Sequence, residues 1–180
     1  MYKLVAFDGD DTLWTPASGL NLSDRTPTDA TGRPDFSYRL VDQTEDKDAL
    51  LVRRDDGALF ALRPEASRVL ATLKARGVLV GVISYNHEAN VRRILEAFGV
   101  IAWIDYVVAE WHTGKDRMLK RMLDMARLDG YSIEPGHAIL VDDDPDDIYR
   151  GQCARMGAGF RCFGHDIRDL GEVLPLAQNP

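Results

Sequence analysis

Lys3-Leu4-Val5-Ala6-Phe7-Asp8-Gly9-Asp10-Asp11-Thr12-Leu13-Trp14 is a short apolar run that stops abruptly at carboxylates. Ala138-Ile139-Leu140-Val141-Asp142-Asp143 does the same far downstream. Apolar runs of this length, bounded by polar residues, mark strands buried on both faces of a parallel sheet. Two such strands side by side would bring at least three acidic groups to one sheet edge. Carboxylates at that density repel, so a hard divalent cation, Mg2+, is the expected cofactor. A cation next to an exposed aspartate is suited to phosphoryl transfer.

From residue 64 onward helices and strands alternate. Pro64 opens a helix carrying Ala66, Val69, Leu70 and Leu73 on one face, and Gly77 ends it. Val78 to Ile83 reads as a buried strand ending at Ser84. A helix with Val91, Ile94, Leu95 and Phe98 stops at Gly99, and Trp103 to Val108 is expected to be a strand. A third helix follows Gly114, with Met118, Leu119, Met122, Leu123 and Ala126 inward. The strand at 138–141, a helix from about Pro145 and a last strand at Phe160 to Phe163 complete the series. The fold class implied is α/β, a three-layer α/β/α Rossmann-like parallel sheet in a single domain spanning 1–180. Ligands in such sheets bind beyond the carboxyl ends of the strands, which groups Asp8, Asp10, Ser84, Asp142 and Asp143 in one crevice.

Residues 15–63 break the rhythm as an insertion over that crevice. Thr15 to Lys47 reads as a long loop. Leu50-Leu51-Val52-Arg53 and Leu59-Phe60-Ala61-Leu62, flanking Asp55-Asp56-Gly57, read as a β-hairpin flap. No large cap is expected.

The chain of 180 residues is 45% apolar and 28% charged, with a net charge of -7, an ordinary globular balance that disfavours nucleic acid or an anionic membrane as partner. No signal peptide and no run of ~20 apolar residues is evident, and the two cysteines, Cys153 and Cys162, make no CxxC pair. A cytoplasmic protein, monomeric or a small homo-oligomer, is expected.

Asp8 is the candidate nucleophile and Asp10 the general acid and base. The expected metal set is Asp8, Asp10 through its backbone carbonyl, and Asp143. Asp142 completes the acidic metal group, and with Asp147 it is expected to orient the metal waters and the lysine. Ser84 and Lys115 would hold the phosphate, with Lys120 a rival to Lys115; Gly114 favours Lys115 by admitting an anion near the backbone. Thr12, Trp14, Ser84, Tyr85, Asn86 and Lys115 are the candidate substrate-binding residues. His87, Trp111 and His112 lie close in sequence to the same strand ends. Aromatic residues at the mouth would suit an aryl phosphate.

Phe7-Asp8-Gly9-Asp10-Asp11-Thr12-Leu13 resembles the first motif of the haloacid dehalogenase-like phosphatases. Ser84, Lys115 and Val141-Asp142-Asp143-Asp144-Pro145-Asp146-Asp147-Ile148 resemble the later motifs, in the family's order. Within that family the magnesium-dependent phosphatase-1 type is the nearest in pattern. Asp11-Thr12-Leu13-Trp14, Leu62-Arg63-Pro64-Glu65 and Ile83-Ser84-Tyr85-Asn86-His87-Glu88 carry that likeness. The resemblance implies an open site for phosphotyrosine, free or in a phosphotyrosyl peptide, or for a small-molecule phosphomonoester such as a phosphosugar. Gly9 departs from it, since many relatives carry an apolar residue there, and Asp146-Asp147 replaces an acid–asparagine pair.

Two other classes fit the sequence less well. A phosphorelay receiver domain carries its phospho-accepting aspartate on a middle strand, but that strand ends here in Ser84. A catalytically silent phosphate- or metal-binding relative would have lost Asp8 or Asp10, and both are present. Calcium loops are excluded, because a loop starting at Asp8 or Asp142 lacks the required glycine and glutamate. Retention of Asp10 favours oxygen-ester hydrolysis over dehalogenation, which needs no acid for an alcohol.

Overall fold

The computed structural model describes residues 1–17, 37–41, 50–111 and 114–177. Its centre is a five-stranded parallel sheet in the order β7-β6-β1-β8-β9. The strands are β1 (Leu4–Asp8), β6 (Leu79–Ser84), β7 (Tyr106–Ala109), β8 (Ala138–Asp142) and β9 (Gly159–Cys162). β1 lies in the middle, with Phe7 opposite Val82 of β6 on one side and Val141 of β8 on the other. All five residues of β1 and of β8 are buried, as their continuous apolar runs require.

Because successive strand side chains point to opposite faces, β1 feeds two cores. Val5 and Phe7 join Val69, Leu70 and Leu73 of α1 (Ala66–Ala75) and Val91, Ile94 and Leu95 of α2 (Glu88–Ala97). Leu4 and Ala6 join Met118, Leu119 and Met122 of α3 (Lys115–Leu128) and Cys153 of α4 (Asp147–Met156). The result is the expected α/β/α sandwich. Among the described residues no helix is long and apolar enough to cross a membrane.

Described residues between Asp10 and Arg63 form a second, antiparallel sheet in the order β2-β5-β4-β3. The hairpin β4 (Leu51–Arg54) and β5 (Leu59–Leu62) has Val52 opposite Phe60, as its turn chemistry predicts. The sheet is wider than a hairpin. β2 (Trp14–Pro16) pairs with β5 and β3 (Tyr38–Leu40) with β4, so part of the stretch read as a loop is strand. Three-residue strands carry too few alternations to register in a sequence pattern. The remainder of that stretch, 18–36 and 42–49, lies outside the described residues. Trp14, Val52, Phe60 and Leu62 enter the same core as α1 and α2, so this sheet is packed on the domain.

The strand expected from Trp103 also differs. Ile101–Trp103 is a short 3-10 turn and β7 begins at Tyr106. Asp105 enforces the late start: its backbone N–H donates to the Val80 carbonyl at 2.8 Å, and its carboxylate accepts from the Val80 N–H at 2.9 Å. Both backbone groups of Val80 are thereby satisfied before the ladder begins.

Gly81, in the middle of β6, lets α3 approach closely, since a Cβ there would overlap Sδ and Cε of the fully buried Met122. Gly81→Ala is expected to cost about 1–3 kcal/mol in urea unfolding. Combined with Met122→Ala, the cost should be less than the sum of the two single changes. Strict additivity would show that the helix does not rest on this glycine.

Candidate active site

Three adjacent strands end in polar groups at one edge: Ser84 on β6, Asp8 on β1 and Asp142 on β8. All three are buried. Lys115, the first residue of α3, is 2% exposed and directs its ammonium between the two aspartates. Its Nζ donates to Asp8 Oδ1 and stands 3.0 Å from Asp142 Oδ2. The second contact is an ion pair without hydrogen-bond geometry, for Asp142 Oδ2 is buried and accepts no hydrogen bond. Asp142 Oδ1 accepts from the Asp144 N–H at 3.1 Å, which fixes the loop after β8.

Burial pushes the Asp8 carboxyl up to about 8; the Lys115 ammonium opposes this, while Asp142 and Asp10 add to it. Burial works against the charge on Lys115, but Asp8 and Asp142 override it and hold the lysine above its ordinary range. Asp143 is also raised, by burial first and then by Asp142. At both aspartates burial is the larger cause, and the neighbouring carboxylates add to it.

The residues meet the requirements of a hard cation. Asp8, Asp142 and Asp143 can each present an oxygen within 4.8 Å of the others. All three donors are carboxylate oxygens, and Asp142 Oδ2 lacks a hydrogen-bond donor. The Asp10 carboxylate is not in this group; its Oδ1 accepts from the Trp14 indole N–H at 2.9 Å.

A cavity of about 360 Å³ opens above these groups, lined by Asp8, Asp10, Ser84, Tyr85, Lys115, Asp142 and Asp143 together with Asp11, Asp144, Pro145 and Tyr149. Lys115 lines this cavity, whereas Lys120 does not, its exposed side chain pairing with Asp124 at 2.8 Å. Thr12, Trp14 and Asn86, expected to touch substrate, are fully buried and do not line the cavity. After Asp10 the chain curls back, with the Leu13 and Trp14 N–H groups both donating to the Gly9 carbonyl, and this turns Thr12 and Trp14 inward. Thr12 donates to Asp143 Oδ1 at 3.3 Å. Asn86 Oδ1 instead accepts from the His87 N–H and from Asn90.

Asp147 does not join the acidic group; its side chain is 91% exposed and lies 3.4 Å from Arg150. As the first residue of α4 it points out from the helix start. Trp111 and His87 pack edge to face away from the cavity, and His112 lies outside the described residues. Tyr149 was missed. Its signal was its place in the first turn of the helix after Asp142-Asp143, where a side chain can return to the strand ends. Its ring centroid stands 6.2 Å from that of Tyr85, and Lys115 Nζ is 4.9 Å from the Tyr85 ring.

Comparison with known proteins agrees with this arrangement. A family model for haloacid dehalogenase-like hydrolases matches residues 2–155. A phosphoglycolate phosphatase of Rhodospirillum rubrum is 29% identical over 118 residues, 63% of this chain and 47% of that protein. The chain therefore spans about half the length of this curated relative. A solved hydrolase of the same superfamily, subfamily IA, from Geobacter sulfurreducens PCA superposes with a TM-score of 0.64 at 16% identity, covering 98% of this chain and all of that one. The N-terminal part of a Bacteroides fragilis protein, containing a phosphatase domain and complexed with Mg, superposes with a TM-score of 0.59 at 16% identity, covering 97% of this chain and 39% of that one. At these identities the solved structures speak for the fold alone, and the likeness to the magnesium-dependent phosphatase-1 type rests on the motifs. With the four motifs assembled at one sheet edge and the family model spanning most of the sequence, this chain belongs to the haloacid dehalogenase-like hydrolases.

Proposed function

We propose that this protein is a magnesium-dependent phosphomonoester hydrolase that works through an aspartyl-phosphate intermediate on Asp8. The observation that carries the proposal is the buried Asp8, paired with Lys115 and grouped with Asp142 and Asp143 at the floor of an open cavity. Asp8, Asp142 and Asp143 would hold the cation, with the Asp10 carbonyl as a further ligand. When bound, it would supply positive charge to the carboxylates and to the phosphoryl oxygens.

The chain's own residues account for the rest. Ser84 and Lys115 hold the phosphate in line with Asp8. The Asp8 carboxylate attacks phosphorus and the bond to the leaving oxygen breaks. Asp10 gives that oxygen its proton, releasing an alcohol. Water then attacks the phosphoryl group, its proton passes to Asp10, and cleavage of the Asp8–phosphorus link frees phosphate and restores both aspartates.

Tyr85 and Tyr149 flank the lysine and offer ring faces to an aryl or sugar leaving group. Asp11 and Asp144 line the same cavity, which disfavours a second anionic group on the substrate. Phosphotyrosine and phosphosugars fit this lining better than phosphoglycolate, the substrate named for the Rhodospirillum relative.

Hydrolysis of p-nitrophenyl phosphate should require Mg2+, stop with EDTA, and fall at least ~10³-fold in Asp8→Asn. Aryl and sugar phosphates should outrank phosphoglycolate in kcat/KM. Metal-independent turnover, or a largely active Asp8→Asn, would exclude the mechanism.

A stability prediction follows from the pKa of Asp8. A carboxyl at about 8 in the folded protein, against 3.8 ordinarily, binds its proton more tightly when folded. Its contribution is complete below pH ~4 and is lost as pH rises towards ~8. In EDTA, urea stability should fall across that window. Asp8→Asn should flatten the decline, and Mg2+ should restore stability most at the alkaline end. An unchanged profile in Asp8→Asn would contradict the assignment.

A further inference from the structure

We infer that Trp14 is a positioning residue for the general acid, so that the small sheet sets the leaving-group chemistry from beneath the site. This rests on Asp10 being the acid in the proposed reaction. The indole N–H of Trp14 donates to Asp10 Oδ1 at 2.9 Å, while Asp10 itself lines the cavity. Indole is a donor only, and Trp14 is fully buried, so the tether also satisfies a group that would otherwise be costly to bury. A hydrogen bond to a carboxylate is among the stronger and more directional ones available.

The indole is itself packed into the core. Trp14 pairs with Leu62 across β2 and β5, and its ring lies against Phe98 with centroids 6.4 Å apart. Beneath it, Gly9 makes the space: a Cβ there would lie 2.6 Å from Trp14 Cη2. Gly9, the departure noted in the first motif, thus leaves this space to the indole. Arg63, at the end of β5, closes the arrangement. Its guanidinium donates to the carbonyls of Asp11 at 2.5 Å and Thr12 at 3.1 Å. Asp11 is held at a φ of 59°, a left-handed conformation costly for a non-glycine residue. The turn that carries Asp10 is thus gripped from the small sheet at two points.

A general acid must sit within hydrogen-bond reach of the leaving oxygen, and a displacement of ~1 Å can cost ~10²-fold. The consequence should appear only where the leaving group needs a proton. The test is kcat/KM for phenyl phosphate against p-nitrophenyl phosphate, two leaving groups of similar shape and different basicity. This parameter reports the steps up to release of the alcohol, so a slow second step does not obscure it. In Trp14→Phe the ratio of phenyl to p-nitrophenyl turnover should fall about tenfold, part of the ~10²–10⁴ that acid catalysis supplies. Asp10→Asn should lower the ratio further, and adding Trp14→Phe to it should change nothing more.

Gly9→Ala, which displaces the ring and keeps the indole, should lower the ratio as Trp14→Phe does; if Trp14→Phe fails to fold, it decides the question. An equal loss on both substrates, or none, in a folded variant would overturn the assignment. A normal ratio in Asp10→Asn would overturn it too, and would show that the fault lies in Asp10's role.

Discussion

A buried ammonium between two buried carboxylates holds this site together. Taking Lys115, Asp8 and Asp142 out of water costs on the order of several kcal/mol per ion; the two carboxylates override that cost at Lys115, while at Asp8 burial prevails over the ammonium. The arrangement persists because the sheet leaves no alternative. β1 is flanked by β6 and β8, so the ends of these strands are fixed side by side before any charge is considered. Lys115 opens the helix that packs on the same strands. With Asp142 and Asp10 beside Asp8, one ammonium faces an excess of negative charge, and these carboxylates add to the upward shift that burial gives Asp8. A divalent cation and a phosphate, bound together, would relieve that imbalance.

The small sheet is anchored more firmly than a free flap. Arg54 is fully buried, donating to both oxygens of Asp56 at 2.9 and 2.8 Å and lying over the Phe60 ring. Tyr38 on β3 bonds to Asn90 of α2, and Asn90 donates to Asn86, two residues beyond Ser84. A polar chain therefore runs from the small sheet to the loop that follows Ser84. Asn86 and Asn90 are buried and Tyr38 is half-buried, so breaking a link of this chain would leave a buried polar group without its partner.

The parallel core was legible because buried strands and amphipathic helices leave strong periodic signals. Asp8, Ser84, Lys115, Asp142 and Asp143 were legible because strand ends and a helix start place them without any detail of packing. What sequence did not show depends on which way a side chain turns. Thr12, Trp14 and Asn86 were expected at the mouth from proximity along the chain, yet a tight turn and a polar network carry them inward. Asp147 was expected among the acids, but as the first residue of α4 it faces solvent. Tyr149, two residues on, returns to the site. β2 and β3 are too short to announce themselves, and only their partners in the sheet define them.

The covalent step proposed on Asp8 can be tested directly. Protein mixed with Mg2+ and excess p-nitrophenyl phosphate would be quenched in acid during turnover, reduced with borohydride, and digested for mass spectrometry. An acyl phosphate on Asp8 is reduced to homoserine, so the peptide containing residues 3–14 should carry homoserine at position 8. The Asp8→Asn protein should show none. Homoserine at Asp10 or Asp142 instead, or unmodified aspartate throughout during sustained turnover, would contradict the account.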